Sequence, residues 1–323
     1  PQLRNYQPIE TAREFGRSLR KELDFNREKR NLEQFARYFE KDDTVHFPVA
    51  YPDRSSRRVL TMERLDGVPL TDRPKLEASG EDLAEYARRG ANMYLDMIFR
   101  DGFYHADPHP GNLLLLPGNI IGVLDCGMVG FIDDHLREDF EGMLMAAVSK
   151  DAQSLTDYVI RLGSVPQDFD RDALNAEISE FVTDYVGQTI QDFDLSGALN
   201  GMTEIIRRYG IRLPASCSML LKVLVMLEGT SRQLNPEFSL AELLQPYYAK
   251  AMKRRFSPKK LMHRAQRTIR DWERFLDMLP RDAADILGRL RRGRFDINLQ
   301  HRRLDATVNR LICGILIAAL YIG

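Results

Sequence analysis

The sequence predicts an α+β fold weighted heavily toward α. Three observations carry that expectation. A helical pattern fills the chain before residue 40, a few short strand-like runs surround one further helix between residues 45 and 124, and apolar residues recur at 3–4-residue spacing almost without pause after Asp133. The 323 residues are 44% hydrophobic and 29% charged, ordinary for a globular chain long enough to form two lobes. Forty-six basic residues against 47 acidic ones leave a net charge of -1. That balance excludes a uniformly basic nucleic-acid binder and an acidic disordered chain. The three cysteines, Cys126, Cys217 and Cys313, lie far apart and form no CxxC pair. A reducing compartment suits them.

Ile9, Ala12, Phe15, Leu19 and Leu23, then Leu32, Phe35 and Phe39, predict helix from Ile9 to Phe39. The polar interval Asp24 to Asn31 is either a solvated face or a face turned toward a site. Val45–Tyr51 and Arg57–Met62 read as two strands around the turn at residues 52–56, and Glu63–Gly67 as a connector. Glu81–Arg100 reads as a helix with Tyr86, Ala87, Met93, Tyr94, Met97 and Ile98 on its core face. Leu113–Leu116 and Ile120–Leu124 form a hairpin across Pro117-Gly118-Asn119. Breaks in the helical remainder fall near Gly163–Pro166, Gly210–Pro214, Asn235–Pro236 and Ser257–Pro258.

The chemistry-bearing stretch is His105-Ala106-Asp107-Pro108-His109-Pro110-Gly111-Asn112, followed after the hairpin by Asp125-Cys126-Gly127. It offers a carboxylate and an amide on one loop and a second carboxylate at a strand end. Phosphoryl transfer uses such a set: one Asp orients the nucleophile, while an Asn and another Asp hold magnesium (Mg2+) against ATP phosphates. The spacing Asp-x-x-x-x-Asn matches the kinase loop H-R-D-x-x-x-x-N, with Asp125-Cys126-Gly127 standing for D-F-G. A zinc cluster of His105, His109 and Asp107 is the competing reading, but the other histidines are distant in sequence.

These motifs, with Lys21-Glu22-Leu23-Asp24-Phe25-Asn26-Arg27-Glu28, Asn31 and Val59-Leu60-Thr61-Met62-Glu63, make the chain resemble the UbiB-type atypical kinases, also called aarF-domain-containing kinases. The resemblance covers residues 1 to about 135 and is looser beyond. It implies a protein-kinase-like fold, with an incomplete small N-lobe, a helix-rich C-lobe and a helical extension. The implied divisions are 1–66 for the N-lobe and hinge, 67–245 for the C-lobe, 246–310 for a basic extension and 311–323 for the start of a transmembrane helix. It further implies that Asp107 is catalytic and that Asn112 and Asp125 bind metal and nucleotide. Glu22 pairs with a phosphate-binding lysine in this reading, and Glu63 to Leu65 line the adenine pocket, partly through backbone groups. Glu28 and Asn31 belong on the active-site side, and His105 braces the loop.

The family's alanine-rich nucleotide loop, strand lysine and KxGQ motif are expected before Pro1. No APE motif follows Gly127, so a conventional protein-substrate platform is not expected, and Cys126 replaces the usual Phe.

Between Lys250 and Arg310, 18 basic residues face 7 acidic ones. Such a run invites an anionic surface. Leu261, Ala265, Ile269, Trp272, Leu276 and Leu279 form an apolar stripe among these cations, suited equally to a membrane or to packing on the protein itself. Leu311–Gly323 is uncharged, but its 13 residues fall short of the roughly 20 that span a bilayer. A truncated membrane anchor is the favoured reading, with the preceding arginines on the cytoplasmic side.

The leading functional expectation is therefore a membrane-associated ATP- and magnesium-dependent kinase or ATPase. The resemblance implies support of ubiquinone or related isoprenoid quinone biosynthesis, with quinone-precursor lipids or quinone-biosynthesis enzymes as partners. No nucleic acid is expected, and a homodimer is compatible with this reading. A small-molecule phosphotransferase of the aminoglycoside or choline kinase type and a nucleotide-binding pseudokinase scaffold are the alternatives.

Overall fold

The computed structural model describes residues 23–166, 168–185 and 193–255. Helix α1 (Phe25–Tyr38) opens where the Asp24 carboxylate accepts the Asn26 N–H at 3.2 Å. An aspartate that claims a backbone amide in this way starts a helix rather than continuing one. The helix expected from Ile9 to Phe39 is thus interrupted at Leu23–Asp24, and its part before Leu23 lies outside the described residues. Leu32 and Phe35 supply the buried face of α1, and the Phe35 ring lies 5.5 Å from that of Phe47 and 4.8 Å from that of Phe103.

The next segment is less regular than its sequence suggests. Strand β1 covers only Val45–His46, and the expected pair of strands over 45–51 and 57–62 shrinks to two isolated bridges, Ala50↔Met62 and Ser56↔Val59. Pro48 and Pro52 have no amide hydrogen to give a ladder. The Ser55 and Thr61 hydroxyls also take backbone partners: Thr61 N donates to Ser55 Oγ at 3.0 Å, and Thr61 Oγ1 donates to Arg54 O at 2.7 Å. The connector leads into β2 (Val68–Pro69) and the short helix α2 (Arg73–Ala78). A Cβ on Gly67 would sit 2.8 Å from the Leu115 carbonyl, so glycine lets the connector lie close on the sheet.

Helix α3 (Leu83–Asp96) is capped by Asp82, which accepts the Ala84 and Glu85 N–H groups at 3.0 Å. A π-helical turn, Met97–Asp101, follows and ends at Gly102 with φ +66°. The sequence-based helix to Arg100 therefore holds its length but changes winding in its last turn. Strand β3 (Phe103–His105) leads to the loop, and a 3-10 turn at Pro110–Asn112 leads out of it. The hairpin is β4 (Leu113–Leu116) and β5 (Ile120–Val123), turned through Gly118 and Asn119 at φ +82° and +56°.

The larger sheet has the order β1-β5-β4-β2, with β1 parallel to β5 and the other pairs antiparallel. A second, two-stranded sheet pairs β3 with β6 (Val129–Phe131), placing Phe103 opposite Phe131 and His105 opposite Val129.

Among the described residues six helices follow: α4 (Asp134–Val148), α5 (Ala152–Leu162), α6 (Arg171–Asp184), α7 (Leu195–Arg208), α8 (Ala215–Leu234) and α9 (Leu240–Arg255). The breaks at Gly163–Pro166, Gly210–Pro214 and Asn235–Pro236 fall where glycine and proline placed them, the breaks after Val148 and Asp184 were not expected, and Ser257–Pro258 lies outside the described residues. One core joins α1, α3, both sheets, α8 and α9, with Phe35, Tyr94, Ile121 and Leu220 fully buried. A second core, around Val159, Leu174, Ile178 and Ile206, knits α5, α6 and α7 together. Buried Glu228 on α8 ties the layers: its Oε2 accepts the Ser196 N–H and Oγ–H at the start of α7, both at 2.6 Å, and its Oε1 lies 3.1 Å from Arg232 Nη2.

Candidate active site

The two-stranded sheet brings the loop and the second carboxylate together. Pairing of β3 with β6 extends one residue further, where Ala106 N donates to Met128 O at 3.0 Å. At the other end of the loop, Leu124 N donates to Asn112 O at 2.9 Å, so the hairpin returns the chain to where it left. Asp107, Asn112 and Asp125 consequently converge although the hairpin separates them in sequence.

Within this cluster each group has a defined setting. Asn112 Nδ2 donates to Asp107 Oδ2 at 2.9 Å and to the Asp107 carbonyl at 3.2 Å. Its amide oxygen is thereby turned away from Asp107. Asp125 is exposed, and its Oδ1 accepts the Gly127 N–H at 2.7 Å. His105 lies beneath, 1% exposed, with Nδ1 accepting the Asp107 N–H at 3.1 Å and Nε2 donating to the Asp125 carbonyl. This bonding needs the neutral ring with its proton on Nε2. Burial, the largest influence on it, lowers the His105 pKa below its ordinary value. The loop-bracing role expected for His105 is the one its bonds describe. His109 is exposed and accepts the Gly111 N–H at 3.0 Å, a local turn contact.

The polar face of α1 turns toward this site, which decides between the two readings of Asp24–Asn31. Asn31 Nδ2 donates to the Cys126 carbonyl at 2.8 Å. Burial, followed by the charges of Glu28 and Asp125, pushes the Cys126 thiol up. A buried protonated thiol is not a reactive one. Tyr94, on α3, packs its ring edge-on to His105 at 6.0 Å, and its hydroxyl is buried with no hydrogen-bond partner among the described residues. Nothing in the sequence pattern distinguished Tyr94 from an ordinary core residue.

The connector carries Glu63 and Leu65 along the larger sheet. Glu63 Oε2 accepts the Val49 N–H at 3.1 Å and lies 3.0 Å from His46 Nε2. The Val49 amide first, and His46 after it, hold the Glu63 carboxyl below its ordinary pKa. Both contacts fall on Oε2, so one carboxylate oxygen braces the connector against β1. Leu65 packs over Gly122, where an added Cβ would meet its Cδ1 at 3.1 Å. Glu63 and Leu65 line an open cavity of about 680 Å³ with Phe39, Val45 and Leu116, and none of Asp107, Asn112 and Asp125 borders it. Glu22 lies outside the described residues.

Two carboxylates and an amide oxygen make a hard oxygen set of the type magnesium prefers, and the exposure of Asp125 leaves room for the waters that ion retains. No group of three His, Cys, Asp or Glu residues suited to a metal occurs among the described residues, which disfavours the zinc reading.

The chain is similar to several known proteins. The "Uncharacterized protein slr1919" of Synechocystis sp. is 32% identical over 74% of this chain and 42% of its own length. The "Probable protein kinase UbiB" of Vibrio parahaemolyticus is 29% identical over 94% of this chain and 57% of its own length. The chain spans about half the length of the curated relatives it matches. The solved complex of Rv3197 with erythromycin from Mycobacterium tuberculosis shares the fold at a TM-score of 0.52 and 23% identity, over 70% of this chain and 57% of that one. Residues 1–159 match the ABC1 atypical kinase-like domain and residues 178–239 the UbiB helical domain. An ABC1 atypical kinase-like domain followed by a UbiB helical domain places the chain in the UbiB-type atypical kinase family.

Proposed function

We propose that the protein binds ATP with magnesium and catalyses phosphoryl transfer or ATP hydrolysis. The observation that carries this reading is the 2.9 Å hydrogen bond from Asn112 to Asp107, made beside the exposed Asp125 carboxylate. Asp107 is held by one oxygen and so keeps the other for the hydroxyl or water that attacks. There it orients the nucleophile and accepts its proton. Asp125 and the Asn112 amide oxygen are the groups that would hold magnesium. ATP, when bound, supplies the phosphoryl group and the charge that the metal neutralises. Glu63, Leu65 and the connector backbone are the groups near the hinge that would line the adenine pocket, with Glu63 Oε2 braced by His46 and Val49.

The biological setting belongs to the same proposal. The relatives named as UbiB kinases favour a role in ubiquinone or related isoprenoid quinone biosynthesis, with a precursor lipid or a partner enzyme receiving the phosphoryl group or its energy. The basic run from Lys250 to Arg310 and the apolar run after it favour work at the cytoplasmic face of a membrane. No helix among the described residues is long and apolar enough to cross a membrane, and the tail from residue 256 lies outside them.

Titration of the protein with a non-hydrolysable ATP analogue, with and without magnesium, tests the reading. Binding should depend on magnesium, and Asp125→Asn should remove that dependence while the protein stays folded. Magnesium dependence that survives in Asp125→Asn would overturn the assignment. Nucleotide binding without turnover of ATP would favour the pseudokinase scaffold instead.

A further inference from the structure

The Asp125-Cys126-Gly127 turn is held from two sides by side chains of two different elements. His105, at the end of β3, takes the Asp125 carbonyl. Asn31, on α1 and 95 residues earlier in sequence, takes the next carbonyl along, that of Cys126, at 2.8 Å. The small Cys126 side chain is itself fully buried. Glu28, one helical turn before Asn31, is close enough for its charge to act on the Cys126 thiol, so the two residues present one face of α1 to the turn.

We infer that Asn31 is a positioning residue: its bond to the Cys126 carbonyl makes the placement of Asp125 depend on the placement of α1. The inference rests on the reading of Asp125 as the magnesium carboxylate. The physical reason lies in the middle residue of the turn. A large ring there would transmit movement of α1 by packing, which tolerates sliding. A thiol offers little such surface, whereas a hydrogen bond is short and directional and is lost after a displacement of about 1 Å. When α1 shifts or rotates, the turn either follows or loses its holder.

The test reads the turn without needing catalysis. The native protein and the variants Asn31→Leu and Asn31→Asp are treated with iodoacetamide, and the alkylation rates of Cys126 and Cys217 are measured by peptide mass spectrometry. Both thiols are buried, and Cys217 on α8 reports global unfolding. Losing one partly buried hydrogen bond should speed Cys126 alkylation by about tenfold and leave the Cys217 rate unchanged. The same variants should need more magnesium to half-saturate nucleotide binding. Native Cys126 rates and native magnesium requirements in both variants would overturn the inference, as would Cys126 and Cys217 rates rising together. If the native protein shows no magnesium-dependent nucleotide binding, the functional reading fails by itself, and unequal cysteine rates would still establish that α1 holds the turn.

Discussion

The imidazole of His105 joins Asp107 to Asp125: it accepts the amide of the first at 3.1 Å and donates to the carbonyl of the second. Both bonds require the neutral ring, and burial keeps it neutral by lowering its pKa. The unfolded chain binds this proton more readily than the folded one. The stabilisation is therefore complete above the unfolded value, about 6.5, and drains away as pH falls from there toward the lower folded value. Melting temperature should decline through that window more steeply in the native protein than in His105→Asn. Parallel curves would show that His105 is not buried neutral.

Asp107 acts on the nucleophile in the proposed reaction, not on ground-state binding. Asp107→Asn keeps the shape and should leave nucleotide affinity within a few-fold, while turnover falls by about 10²–10⁴. Near-native turnover in this variant would make Asp107 structural.

The Tyr94 hydroxyl is buried without a partner among the described residues, beside the His105 ring. Removing an unsatisfied buried hydroxyl costs no protein hydrogen bond. Tyr94→Phe should thus be neutral or stabilising by about 1 kcal/mol. Denaturant unfolding checks this, and a loss of stability would reveal a partner, such as an ordered water, for that oxygen.

Glu228 supplies the acceptor for two donors of Ser196 and pairs with Arg232 from inside the core. Glu228→Ala strands those donors and should cost about 2–4 kcal/mol, the penalty for breaking a buried charged network. Glu228→Gln, which keeps an acceptor oxygen, should cost less. Equal losses would mean that charge, not hydrogen bonding, sets the effect.

The parts legible in the sequence were those written locally. The hairpin of Leu113–Leu116 and Ile120–Val123 follows from alternating apolar runs around Pro-Gly-Asn, and the helix breaks at Gly163–Pro166, Gly210–Pro214 and Asn235–Pro236 follow from glycine and proline. Asp107, Asn112 and Asp125 could be named from the Asp-x-x-x-x-Asn spacing and the Asp-Cys-Gly turn that follows the hairpin. What could not be read depends on distant partners. The pairing of Phe103 with Phe131 has no local mark, nor has the reach of Asn31 across 95 residues. Glu63 shows the same limit: its position in the connector was legible, but the side it faces was set by His46 and Val49. The break at Asp24 was not legible because Asp24 reads equally as a polar helix position or as a cap, and only its bond to Asn26 decides.

The π-helical turn at Met97–Asp101 acts as a spacer in the drive shaft that carries β3. A π turn houses one residue more than an α turn of the same height. Deleting a residue there would invite the helix to tighten, and each α-helical residue turns the chain by about 100° and advances it by 1.5 Å. Phe103 would then leave its place opposite Phe131, and His105 would swing away from both backbones it clasps. The phase of the whole loop is thus geared to the number of residues between Asp96 and Gly102. A change of a single residue in the length of that stretch would strip the gear.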